Sequence, residues 1–229
     1  MEPLKVNSIS IQVSLSGYSF TVNSEGKTFS SPWLGADKIF TTPEFQKRYD
    51  EVDISLLTPK FVLVPEQFFS EERARSLLSE TVSLSERDVV SYVRIPESAS
   101  VLLFSPTIGE SLSKVISQTV LTTSGESAPV LPEMYYMLRT MDSLPQYNKI
   151  LASYMDGHLY LAIAEGRTLR LSNVYEAPDF TTAEYFIFLA LSSLQLNPEV
   201  SVVSFRTPLS PDEEMSLYRY FSSVEVLCA

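Results

Sequence analysis

The sequence predicts an α/β protein built from two β-β-β-α-β-α-β units with mixed sheets, joined by an intervening β/α segment. Three observations predict it. Residues 8–31 alternate apolar and polar side chains across glycine turns, the period-two signature of an antiparallel meander, and residues 149–174 repeat those turns around a strand, His158–Ala164, that is apolar on both faces. Each meander is followed by Ser/Thr-capped stretches with early acids, which read as helix starts. The two stretches also echo each other at an offset of 140 positions: Gly17 with Gly157, Glu25-Gly26 with Glu165-Gly166, Thr28 with Thr168, and Phe40-Thr41-Thr42 with Phe180-Thr181-Thr182. Further along, Val62 aligns with Val202, Ser70 with Ser210 and Ser76-Leu77 with Ser216-Leu217.

In the first unit, Ile9, Ile11, Val13 and Leu15 alternate with Ser8, Ser10, Gln12, Ser14 and Ser16. Ser16-Gly17 is expected to turn, because glycine tolerates the backbone a tight hairpin demands. Tyr18 to Asn23 and Lys27 to Ser31 then complete the meander, with Glu25-Gly26 between them. Thr41-Thr42-Pro43-Glu44 predicts a helix to about Val52. Phe61 to Val64 reads as a strand, Ser70-Glu71-Glu72-Arg73 as a helix start, and Val89 to Ile95 as a strand.

The middle block predicts a strand over Val101–Phe104, a helix over Gly109–Gln118, a strand over Thr119–Thr123 and a loop over Ser124–Pro129. Met134, Met137, Leu138 and Met141 recur at i, i+3, i+4, i+7, the apolar face of a helix, and at that spacing methionines read as core. The last unit repeats the first. Strands run over Lys149–Met155, His158–Ala164 and Arg167–Val174, with turns at Asp156-Gly157 and Glu165-Gly166. A helix starts at Thr181 and runs to Leu196, a strand covers Val200–Phe205, Ser210-Pro211-Asp212-Glu213 opens a last helix, and Val224–Cys228 closes the sheet. The helical stretch Tyr185–Leu191 is apolar on every side, which predicts burial on most faces, within the chain or at a subunit contact. The expected organisation is a first unit over 1–95, an intervening β-α-β-α segment over 96–145 that partly belongs to the first half, and a second unit over 146–229.

Composition narrows the function classes. Seventeen basic against 28 acidic residues give a net charge of −11, which repels phosphate backbones and disfavours nucleic acid and anionic membranes. The first residues lack the basic and apolar regions of a secretory signal, and the apolar run Tyr185–Leu191 is far shorter than the ~20 residues of a membrane span. A single cysteine, Cys228, leaves no internal disulfide and fits a cytoplasmic location. With one histidine, His158, and one cysteine there is no zinc constellation, and no Gly-x-Ser-x-Gly elbow occurs. His158 sits at a turn and reads as a solvated turn residue before a ligand or a base. The acidic runs Asp50-Glu51-Val52-Asp53 and Asp212-Glu213-Glu214 read as a solvated helix end and a helix start. Trp33 reads as a strand-end core residue before an anchor for a partner.

Leu4 to Ile11, Leu15 to Phe20, Leu169 to Tyr175 and Phe180 to Leu194 resemble a bacterial domain-of-unknown-function family placed with the actin-like ATPase fold, a ribonuclease-H-like architecture. Pilus-assembly and cell-division proteins of the actin type are its distant relatives. In active members of that fold the first hairpin of each half grips nucleotide phosphates, an aspartate ends the first strand, and a glycine turn contacts the adenosine. The resemblance therefore points to Ser14, Ser16, Gly17, Asp156 and Gly157 as the positions of the phosphate turns. Here the first hairpin has no carboxylate. In the second, Asp156 precedes Gly157 as an ordinary turn prefers, and His158 and Leu159 crowd the space. The segment Val203–Pro208, where the adenosine turn would fall, has no glycine, and the chain holds only seven.

No catalytic residue, metal ligand or cofactor is assigned. The expectation is a cytoplasmic, non-catalytic scaffold that has lost nucleotide binding and engages a protein partner, or a second copy of itself, through its cleft or its apolar helix. The alternative is a divergent enzyme binding a nucleotide or sugar phosphate through atypical loops.

Overall fold

A computed structural model describes residues 7–227 and divides into two compact units, with the boundary between Tyr135 and Tyr136. Leu4 to Val6 and Cys228 lie outside the described residues.

The first unit opens with the expected meander: β1 (Ser8–Val13), β2 (Tyr18–Ser24) and β3 (Lys27–Ser30), each antiparallel to the next. Short 3-10 turns at Ala36–Thr41 and Pro43–Gln46 lead into β4 (Arg48–Tyr49) and β5 (Glu51–Leu56), and β5 runs parallel to β1. Next come β6 (Phe61–Pro65), α1 (Ala74–Ser79), β7 (Ser91–Ile95) and β8 (Ser100–Phe104). They are followed by α2 (Glu110–Thr119), β9 (Leu121–Thr122) and β10 (Val130–Pro132). The main sheet has the order β10-β5-β1-β2-β3. The 96–145 segment thus supplies the edge strand β10 of this sheet, and the unit boundary falls inside α3 (Glu133–Ser143).

The helix expected over Glu44–Val52 does not form. Val52, Ile54 and Leu56 are buried beside Ile9, Ile11 and Val13, whereas Thr42 carries no cap bond. Its hydroxyl instead donates to the Lys38 carbonyl at 2.8 Å and meets the Tyr18 hydroxyl at 2.9 Å. Burying three aliphatic side chains stabilises by about 2 kcal/mol each, against about 1 kcal/mol for a cap, so strand pairing wins. The acidic run Asp50–Asp53 therefore starts a strand, where the Asp50 carboxylate accepts from the Asn7 amide at 3.0 Å.

Ser10, Gln12, Ser19, Thr21 and Ser55 point away from that core and are nonetheless buried. Ser19 donates to Gln12, and Thr21 shares a 3.1 Å bond with Ser30, so these members of the polar face bond to each other across the meander. The strand at Phe61–Val64 forms as β6 but belongs to a separate antiparallel sheet, β6-β8-β7, packed on α1 through Val64, Ala74, Leu78 and Leu103. Asp88 fastens this small sheet to its loop. Its carboxylate accepts from Lys60 Nζ at 2.8 Å, the Ser85 amide at 2.6 Å and Ser105 Oγ at 3.3 Å.

The second unit contains β11 (Asn148–Met155), β12 (His158–Glu165) and β13 (Thr168–Glu176), then α4 (Phe180–Ser193), β14 (Val202–Phe205), α5 (Pro211–Leu217) and β15 (Ser223–Val226). Its sheet order, β13-β12-β11-β14-β15, repeats the first sheet strand for strand, with the same antiparallel and parallel neighbours. Helix α4 is capped by Asp179, which accepts from the Thr182 amide at 2.7 Å, and starts at Phe180, one residue before the Thr181 start expected. The expected last helix forms as α5, which Ser210 and Glu213 start with a capping box. Ala183, Ile187, Ala190 and Leu191 bury one side of α4, but Tyr185 and Leu189 stay exposed, so the helix is not covered all round.

The offset of 140 does not survive. The first hairpin turns at Leu15-Ser16, closed by the Ser14 amide donating to the Gly17 carbonyl, and not at Ser16-Gly17. Its counterpart turns at Asp156-Gly157, so Asp156 stands 141 positions after Leu15. The next turns are Glu25-Gly26 and Gly166-Arg167, and Gly166 again stands 141 after Glu25. A one-residue slip exchanges the two faces of a strand. Accordingly the core faces are Ile9, Ile11 and Val13 in β1 but Ile150, Ala152 and Tyr154 in β11. Beyond the meanders, β5 and not the strand at Val62 holds the place of β14.

Candidate functional site

The phosphate-turn positions in the first unit lie on the β1–β2 hairpin. Ser14 Oγ accepts from the Ser16 amide at 3.1 Å and lies 3.2 Å from Ser16 Oγ. The Trp33 indole donates to Ser16 Oγ at 3.1 Å, so Trp33 clamps the turn. A Cβ on Gly17 would stand 2.2 Å from the Leu34 carbonyl oxygen and 2.9 Å from the Trp33 indole nitrogen. Glycine is required here by the approach of another backbone, not by a turn.

Beside this hairpin an open groove of about 420 Å³ is lined by Leu15, Ala36, Ile39, Phe40 and Thr107, and by Gly109, Glu110, Ser111, Leu112 and Val115 at the start of α2. Ile39, Leu112 and Val115 join the sheet core at its floor, while Leu15 and Phe40 are 76 % and 70 % exposed at its rim. Glu110, the one charged residue in the lining, stands in the first turn of α2, where it already satisfies the positive end of the helix. The groove therefore favours apolar groups over phosphate. None of its apolar residues stood out in the sequence, because they come from three remote segments. A leucine in a turn, Leu15 between Ser14 and Ser16, was the one local signal.

In the second unit, Asp156 and Gly157 take φ of +52° and +71°, a pair of left-handed residues that forms a tight two-residue turn. The Asp156 carbonyl lies 2.8 Å from Nδ1 of His158, and the Gly157 carbonyl accepts from the Ala177 amide at 2.8 Å. Tyr154 fills the space behind the turn, edge-on to Phe180 with ring centroids 5.5 Å apart. Burial raises the pKa of its phenol, and the charges of Glu213 and Asp179 push the same way. Where an adenosine turn was sought, Arg206 is almost fully buried. Its guanidinium donates to Thr140 Oγ1 at 2.7 Å and lies over the Tyr136 ring, and Thr207 accepts from the Tyr154 amide at 3.0 Å. Both side chains are thus engaged in packing. Among the described residues, no three His, Cys, Asp or Glu side chains converge as a metal site would need.

Several solved structures share this architecture. A Bacteroides thetaiotaomicron protein with an actin-like ATPase fold and unknown function superposes with a TM-score of 0.65 at 19 % identity, covering 97 % of this chain and 91 % of that one. The PilM–PilN type IV pilus biogenesis complex gives 0.53 at 11 % identity, over 98 % and 89 %. The cytoplasmic domain of EpsL, an inner membrane component of the type II secretion system of Vibrio cholerae, gives 0.52 at 13 % identity, over 89 % and 83 %. At these identities the likeness establishes the fold alone: the chain has the actin-like ATPase fold. No curated protein matches it. No helix among the described residues is long and apolar enough to cross a membrane. The sequence profile of one family covers residues 2–224, and the chain belongs to that family, the proteins of unknown function DUF3822.

Proposed function

We propose that this chain is a non-catalytic binding protein in which the phosphate-gripping positions of the actin-like fold have been given over to protein contact. The observation that carries this reading is the groove at the first hairpin, with an apolar floor of Ile39, Leu112 and Val115 and an exposed apolar rim of Leu15 and Phe40. The bonds among Ser14, Ser16 and Trp33, and the tight turn made by Asp156 and Gly157, support the reading that Ser14, Ser16, Gly17, Asp156 and Gly157 serve their hairpins. The PilM–PilN complex supports the reading by analogy, as a protein assembly that contains the same fold. A cytoplasmic location belongs to the same reading, and the charge of −11 speaks against nucleic acid as the partner.

Thermal denaturation in the presence of Mg-ATP tests it. A site filled to about a hundred times its dissociation constant stabilises by about 2.7 kcal/mol, roughly 5–10 °C for a chain of this size. Millimolar Mg-ATP is expected to leave the melting temperature unchanged. A saturable rise of several degrees would show a retained nucleotide site and overturn the proposal.

A further inference from the structure

We draw no further inference here: the strongest candidate, the outer strand β13 with the exposed side of α4 at Tyr185 and Leu189, carries none because nothing in the structure shows what covers it.

Discussion

Replacing Gly17 by alanine is expected to destabilise the protein by about 3 kcal/mol and to loosen the first hairpin. The new Cβ would meet the Leu34 carbonyl at 2.2 Å, and that carbonyl is not free to retreat. It accepts from the Tyr18 amide at 2.9 Å while the Leu34 amide donates to Tyr18 at 2.7 Å. Relief requires breaking this two-bond bridge and pulling Trp33 from Ser16, at about 1 kcal/mol for each bond lost. The melting temperature should fall by roughly 6–12 °C. Trp33 is the only tryptophan, so its fluorescence reports this contact alone and should shift to the red. Unchanged emission and an unchanged melting temperature would mean that the close approach is not a constraint.

The second large effect concerns Asp88. Its carboxyl is held well below the usual carboxylate range, first by the hydrogen bond from Lys60 and then by the Ser85 amide. A carboxyl whose folded pKa is depressed contributes stability that is complete above its unfolded value of 3.8 and is lost as pH falls below that toward the folded value. Asp88→Asn leaves the Lys60 ammonium without its counter-charge. Removing one partner of a buried pair costs about 3–5 kcal/mol, and the 23 % exposure of Lys60 places this case near the lower end. At pH 7 the variant should melt roughly 6–12 °C below wild type. Melting curves from pH 6 down to 2.5 should converge, because the wild type alone gives up this contribution in acid. Parallel curves would assign the acid sensitivity to other groups.

Much of the architecture could be read from local pattern. The first meander announced itself by alternation and the second by its glycine turns, α3 by its methionine spacing and α5 by Ser210 and Glu213. The expectations that failed involve competition between local and distant signals. Thr41 to Glu44 carry a sound helix-start pattern, yet Val52, Ile54 and Leu56 have β1 to pair with, and only the fold supplies β1. The register failed because Gly17 and Gly157 look equivalent while serving different needs, a close backbone approach in one case and a positive φ in the other. Ser14, Ser16, Gly17, Asp156 and Gly157 all lie at hairpins, although the first turn is shifted to Leu15-Ser16. The apolar groove beside the first was not foreseen, since Leu15, Phe40 and Leu112 meet only after folding.

The small sheet β6-β8-β7 has a consequence for how the chain reaches this state. It is inserted between two neighbours of the first main sheet, so 74 positions separate Leu56 of β5 from Val130 of β10, against 18 between Phe205 of β14 and Ser223 of β15. Closing the longer loop costs about 1 kcal/mol more in chain entropy, and distant pairings form late. The second sheet should therefore be complete while the edge of the first is still open. Pulsed hydrogen exchange during refolding should find β14 and β15 protected before β10, which makes the second unit the part of the chain that folds first.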